Sequence, residues 1–291
     1  MSIAPAQFQP SEYFKPTTVE EAVGLLNRYG ASAWPIAGGT DVMVEKNPSI
    51  RVLVDVTGLG LDYIVSHEGW ITIGAATTIA EVVASPLLRG GPCHILSKAA
   101  QELGTPQIRN MATLGGNLCR PSPAADCAPP LLVLDAGLNV VGVTGQRQIG
   151  IEHFFKGVNQ DALQQAEILT EVLLPPLPPR TGTAFVKKGR VAVADLSIVS
   201  VAVCVALKDK SAVEEVRIAL ASVAPFPTRV RKAEDLMRGK TVTRDLLSAV
   251  ARQASEEIRP ISDIRASAEY RRTLCRVLVE QALEEALDQA G

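Results

Sequence analysis

Two glycine pairs, each closing an apolar run, constrain this chain more than any other feature. The first sits in Pro35-Ile36-Ala37-Gly38-Gly39-Thr40-Asp41. The second sits in Ile108-Arg109-Asn110-Met111-Ala112-Thr113-Leu114-Gly115-Gly116-Asn117-Leu118-Cys119, which continues through Ser122-Pro123 to Asp126. Glycine has no Cβ, so it accepts positive φ and leaves its N–H open to a ligand. A lone Gly-Gly is most often a plain tight turn. Two of them, the second flanked by polar residues, suit a pyrophosphate better than a monophosphate.

The rest of the composition narrows the field. The 291 residues are 47% apolar and 21% charged, with a net charge of −2, as in ordinary globular proteins. No basic excess exists to follow a nucleic acid backbone. The longest apolar stretches, such as Val199 to Leu207, are too short to span a bilayer. Met1 to Pro10 lacks the basic and apolar regions of a signal peptide. Five widely spaced cysteines point to free thiols in a reducing, cytoplasmic setting. Cys119 and Cys127 are too far apart for a CxxC half-site, so no metal site is expected.

Read in order, residues 17 to 30 form a helix capped by Thr18, with Glu21 closing a capping box and Gly30 ending it. Ala33 to Ile36 is a strand that delivers the first Gly-Gly turn. Arg51 to Val56 and Trp70 to Gly74 are strands, the second with Ile71 and Ile73 on one face. A helix starts after Thr78, with Glu81 at the box position, and residues 92 to 103 are helical. A short helix covers about 130 to 134, opened by Pro129 and Pro130. Strands follow at 138 to 143 and 168 to 174, with a docked turn or short helix at 149 to 155. Pro175-Pro176-Leu177-Pro178-Pro179-Arg180 is the clearest punctuation, and marks the start of a C-terminal domain. There, strands at 183 to 187, 198 to 207 and 213 to 222, the last two joined by a turn at 209 to 211, precede helices at 229 to 238, 243 to 256 and 267 to 288. Tyr270, Leu274, Val277, Leu278 and Ala282 make the apolar stripe of the last helix. Strands followed by helices give an α+β class.

Familiar motifs are absent. Gly58-Leu59-Gly60 lacks the third glycine of a dinucleotide fingerprint. There is no P-loop and no GxSxG. His67, His94 and His153 have no metal-ligand spacing. Thr40 and Thr113 offer hydroxyls, Gly115, Gly116 and Asn117 offer backbone and amide donors, and Asp41 would hold turn N–H groups rather than phosphate. Asp126 suits sugar or ribityl hydroxyls, which donate, or else caps the next helix. Arg109 would neutralise phosphate or pair with an acid. These residues define a dinucleotide or nucleotide-diphosphate site without a Rossmann motif, and leave the chemistry open.

The whole pattern resembles the FAD-binding medium subunit of the molybdenum hydroxylases, the group of carbon monoxide dehydrogenase, xanthine dehydrogenase and 4-hydroxybenzoyl-CoA reductase. The match is carried by the two Gly-Gly segments, Ile73-Gly74-Ala75, Ser122-Pro123 with Asp126, Phe154-Phe155-Lys156-Gly157, Asp195, and Arg265-Ala266-Ser267-Ala268-Glu269-Tyr270-Arg271-Arg272. It implies an α+β fold: a two-part FAD-binding domain of the vanillyl-alcohol oxidase and molybdenum hydroxylase type over 1–176, divided near 57, and a C-terminal domain over 181–291 with a three-stranded sheet and helices.

The resemblance implies that the loop Ala37, Gly38, Gly39, Thr40, Asp41 and the loop Thr113, Gly115, Gly116, Asn117 hold the pyrophosphate, and that Pro35, Ile36, Arg109, Asn110 and Ser122 also belong to the cofactor site. Asp126 would reach the ribityl or adenosine side, Lys187 would lie near the isoalloxazine, and Leu196 would cover it. No general acid or base is implied here. The subunit would carry FAD within a dimer of heterotrimers, between [2Fe-2S] centres of a small subunit and an acceptor such as NAD or a quinone, while substrate reacts at the molybdenum cofactor of a large subunit. The 4-hydroxybenzoyl-CoA reductase branch inserts a cysteine-rich [4Fe-4S] loop after the second Gly-Gly. Here the chain runs directly to Ser122, so no cluster is expected. Two alternatives stay open: a stand-alone FAD-dependent oxidase or dehydrogenase acting directly at the flavin, and a non-catalytic nucleotide-binding scaffold.

Overall fold

The computed structural model describes residues 7–291 apart from 192, 193 and 210. Its N-terminal part begins with a three-stranded parallel sheet, ordered Glu12–Phe14, Val52–Asp55, Ala33–Ile36. Helix Val19–Tyr29 packs on it through Ala22, Val23 and Leu26. Thr18 caps that helix by accepting from the Glu21 N–H at 3.1 Å, while the Glu21 carboxylate reaches back one residue further, to the Thr17 N–H. Gly30 ends it at φ +56.

A second sheet of five strands follows, all antiparallel, in the order Ile64–His67, Trp70–Gly74, Ile168–Leu174, Gly137–Gly142, Gly145–Gly150. Ile73, Leu138, Val140 and Val172 of this sheet bury against helices Ile79–Ala84, His94–Gln101 and Ala128–Val133. Thr78 and Glu81 form the full reciprocal capping box, which fixes where the first of these helices starts. The turn at 149 to 155 resolves into the end of strand Gly145–Gly150 and a single 3₁₀ turn, Ile151–His153.

The C-terminal sheet is antiparallel and runs Thr181–Lys188, Val199–Leu207, Val213–Ala221, then the two-residue strand Thr228–Arg229. Three long strands match the expected sheet, and the short fourth closes its edge. Turn residue Asp209 accepts from the Ser211 and Ala212 N–H groups, while Lys210 lies outside the described residues. Every residue of Val199–Leu207 is buried. One face of this sheet, with Val201, Val203 and Val205, packs on helices Arg231–Met237, Arg244–Glu257 and Ala268–Ala290. The other, with Phe185, Ala202, Cys204 and Ala219, joins the core of the N-terminal part. A strand covered on both sides needs apolar residues throughout, so its sequence shows a run and not an alternation.

The last helix corrects the expected stripe. Tyr270 is 45% and Val277 57% exposed. The buried face is Arg271, Cys275, Leu278, Val279, Ala282, Leu283, Ala286 and Ala290, about one residue around the cylinder. The cause is Arg271, 2% exposed, whose guanidinium donates to the carbonyls of Ile198 and Ser222 and to Asp263. A buried arginine supplied with acceptors packs as core. Among the described residues no helix is long and apolar enough to cross a membrane.

The helix lies so close to the first strand of this sheet that a Cβ on Gly182 would stand 1.9 Å from the Ala286 carbonyl oxygen and 2.7 Å from the Ala290 nitrogen. Gly182→Ala should therefore destabilise the chain by about 2–3 kcal/mol. Gly24→Ala, on the open face of the first helix with nothing near its Cβ, should stabilise by about 0.5–1 kcal/mol. Denaturant midpoints of the two variants check both signs.

Candidate functional site

The two Gly-Gly segments meet on one wall of a cavity of about 940 Å³, at the upper end of the range for small-molecule sites. The meeting is backbone on backbone. A Cβ on Gly38 would lie 1.7 Å from the Met111 carbonyl oxygen, and one on Gly115 would lie 2.7 Å from that of Ala75. Only Gly39, at φ +68, uses the left-handed region. Gly38, Gly115 and Gly116 are therefore required by, or compatible with, close approach, and not by φ.

The two loops have different jobs. In the first, the N–H groups of Gly38, Gly39, Thr40 and Asp41 find no protein acceptor among the described residues. In the second, the donors are already used. Leu114 N–H donates to the Thr77 carbonyl, Gly115 N–H to that of Ala75 at 2.9 Å, and Asn117 N–H to that of Thr113. The Thr113 hydroxyl accepts from Gly116 N–H, capping helix Leu114–Cys119. The expected set of backbone donors in the second loop is thus turned inward. What it offers the cavity is the Asn117 amide, whose Oδ1 is buried without a hydrogen-bond partner.

Asp126 lines the same cavity. It does not cap the next helix, whose cap residue is Cys127 with no side-chain bond. Its Oδ2 accepts from Lys187 Nζ at 2.9 Å, both side chains being 6% exposed, and its Oδ1 is buried without a partner. Burial is the main cause that pushes its carboxyl up to about 6, against the pull of Lys187. Lys187 stands behind the wall, held also by the Glu102 carbonyl at 3.0 Å. Asp126 and Lys187 thus tie the N-terminal part to the first strand of the C-terminal sheet.

Pro35 and Ile36 end the strand beneath the first loop, and with Ala37, Thr40, Asp41 and Ser122 they line the cavity. The Asp41 carboxylate holds no loop N–H among the described residues, contrary to its expected turn role. The Ser122 hydroxyl accepts from Ala124 N–H. Leu196 is 54% exposed at the mouth, a position for a cover and not for a core residue. Asp195 organises its loop by accepting from the N–H groups of Arg190 and Val191. Like Lys187, two further expected residues do not reach the wall. Arg109 donates to the Leu103 and Gly104 carbonyls, so it neither meets an acid nor faces the cavity, and Asn110 follows it on the exposed surface. Sequence reading passed over Glu45, Arg120, Asp161 and the stretch Leu163 to Leu169, which all contribute to the wall. The position of Arg120, four residues after the second Gly-Gly, was the available signal.

The donor set fits FAD. Free N–H groups in the first loop suit a diphosphate. Two orphaned buried acceptors, on Asn117 and Asp126, suit hydroxyl donors of a ribityl chain or ribose. Apolar Leu26, Ile50, Leu61, Leu103 and Leu169 supply the rest of the lining.

This is the architecture of a non-Rossmann flavoprotein. Residues 6–177 match the family model described as the FAD binding domain in molybdopterin dehydrogenase, and residues 184–286 match that of the CO dehydrogenase flavoprotein C-terminal domain. The chain belongs to this family, the FAD-binding subunits of the molybdenum hydroxylases. It is 31% identical to a putative xanthine dehydrogenase FAD-binding subunit of Escherichia coli K12, over 98% of each chain. It is 29% identical to the carbon monoxide dehydrogenase medium chain of Hydrogenophaga pseudoflava, over 94% of this chain and 96% of that one. A solved carbon monoxide dehydrogenase from the same organism superposes with a TM-score of 0.92 at 29% identity, covering 97% of this chain and 98% of the other. Quinoline 2-oxidoreductase of Pseudomonas putida 86 gives 0.89 at 25% identity, over 98% and 99%. The chain is accordingly an FAD-containing oxidoreductase subunit.

The raised Asp126 carboxyl has a thermodynamic sign. Between its ordinary 3.8 and about 6, the folded chain keeps a proton that the unfolded chain has lost, so Asp126 makes stability fall as pH rises through that window. Asp126→Asn removes this contribution. The unfolding free energy of the native chain minus that of D126N should drop by on the order of 2–3 kcal/mol between about pH 4 and about pH 7, measured by denaturant titration at each pH.

Proposed function

We propose that this chain is the electron-relay subunit of a three-subunit molybdenum-containing hydroxylase or dehydrogenase, assembled as a dimer of heterotrimers in the cytoplasm. A large partner carrying the molybdenum cofactor would transform the substrate, a small partner would carry [2Fe-2S] centres, and an external acceptor such as NAD or a quinone would take the electrons. The observation that carries this reading is the full-length match to relatives that are themselves subunits, a medium chain in one case and an FAD-binding subunit in another. Bound FAD would supply exchange between one-electron and two-electron carriers.

The residues of this chain would bind, orient and shield that cofactor. The first loop, Ala37 to Asp41, would receive the diphosphate on its free N–H groups. The second, Thr113 to Asn117, would fix the first from behind and present the Asn117 amide. Asp126 would take a sugar or ribityl hydroxyl on its open oxygen. Lys187 would act through Asp126, and Leu196 would cover the isoalloxazine. Residues 1–176 would form the cofactor domain, with its subdivision near 57, and residues 181–291 the domain that closes beside the flavin.

The test is to purify the chain with its co-purifying proteins, record the absorption spectrum and identify the cofactor released on denaturation. The expected result is FAD from this chain, with iron–sulfur absorbance and molybdenum following the partners. An intact complex without flavin would overturn the reading, as would substrate turnover by the isolated chain. Gly38→Ala, whose added carbon would collide with the Met111 carbonyl oxygen, should leave the purified complex with most of its FAD missing.

A further inference from the structure

Glu45 and Arg120 form an ion pair across the cavity. Glu45 ends the short turn Val42–Glu45 that follows the first loop, and Arg120 caps the C-terminus of helix Leu114–Cys119 in the second. Their side chains are 40% and 26% exposed respectively. Among the described residues, Arg120 is the one cationic side chain on a wall that also carries Asp41, Glu45, Asp126, Asp161 and Glu167.

Nearby cations are committed elsewhere. Lys187 is held by Asp126 and the Glu102 carbonyl. Arg109 is held by the Leu103 and Gly104 carbonyls, and Arg147 by Glu167 and the Ala162 carbonyl. The guanidinium of Arg120, by contrast, has only the Glu45 carboxylate as partner among the described residues. Its backbone is fixed, since the Arg120 carbonyl accepts from Ser122 N–H at 2.6 Å and the Pro121 carbonyl from Asn159 N–H at 3.2 Å. A cation therefore lines the same cavity as the free N–H groups of the first loop, paired to Glu45 just beyond that loop, and its single acceptor is chemically similar to a phosphate oxygen.

Resting on the FAD reading, we infer that Arg120 is the cation that recognises the diphosphate of the dinucleotide, and that Glu45 competes with the diphosphate for it. A guanidinium forks onto either group in the same way. Glu45 thereby keeps the arginine in position within an acidic cavity, at a cost in affinity for the cofactor.

The two partners then have opposite effects, which a purely structural tie would not have. The experiment is to remove FAD from the full chain and titrate it back, following quenching of flavin fluorescence over a range of ionic strength. Arg120→Gln should weaken binding about tenfold and flatten its salt dependence, with Arg120→Lys recovering much of the loss. Glu45→Gln should tighten binding about threefold by the same electrostatic logic. Wild-type affinity and salt dependence in R120Q would overturn the inference. So would an E45Q chain that binds FAD no better than the wild type, or as poorly as R120Q. A wild-type chain that takes up no FAD would instead overturn the cofactor reading beneath it.

Discussion

The contact between the Gly38 backbone and the Met111 carbonyl is the constraint on which the site depends. No side chain fits between them, since even a Cβ would lie 1.7 Å from the oxygen. The same holds where Gly115 passes the Ala75 carbonyl. Two loops more than seventy positions apart are thus held in register by main chain against main chain, and no rotamer can loosen the spacing. The second loop uses its own N–H groups to secure that arrangement. The first is left with unspent donors facing a cavity. Preorganised donors of this kind need no rearrangement when an anion arrives.

Electrostatics then explain how an acidic cavity accepts an acidic ligand. Three of its carboxylates are neutralised in place, Asp126 by Lys187, Glu167 by Arg147 and Glu45 by Arg120. Asp161 spends an oxygen on the Leu163 N–H. Desolvation raises the Asp126 and Asp161 carboxyls, so burial and pairing together reduce the field a diphosphate would meet. The thiols of Cys119, on the cavity wall, and Cys127, in the core behind it, are pushed up by burial as well, which makes both inert at neutral pH.

Much of the scaffold was legible because its signals are local. The Thr18 and Thr78 caps, the strand before the first Gly-Gly and the run at Val199–Leu207 follow from propensity and spacing, and the structure places them where expected. The errors are non-local. Arg271 falls outside the apolar stripe read from the sequence, but Ile198, Ser222 and Asp263 are brought around it, and the stripe of the last helix rotates accordingly. Arg109 reads as a partner for phosphate or for an acid until the carbonyls beyond its neighbouring helix claim it. The donors of the second loop looked available because a sequence cannot show that Ala75 and Thr77 are already there to accept them. Conversely, Arg120 and Glu45 are 75 positions apart and carry no shared motif, so only the fold puts them together.

The C-terminal sheet has one further consequence, for the order in which the chain is made. Its Phe185, Ala202, Cys204 and Ala219 complete a core begun by residues synthesised more than a hundred positions earlier. As the chain leaves the ribosome, that earlier core stands with an uncovered apolar face until the last third has emerged. Transiently exposed apolar surface of this kind is where aggregation starts, so the C-terminal sheet protects the N-terminal part as well as completing its core. Long-range closure of this kind costs loop entropy before its contacts offset it.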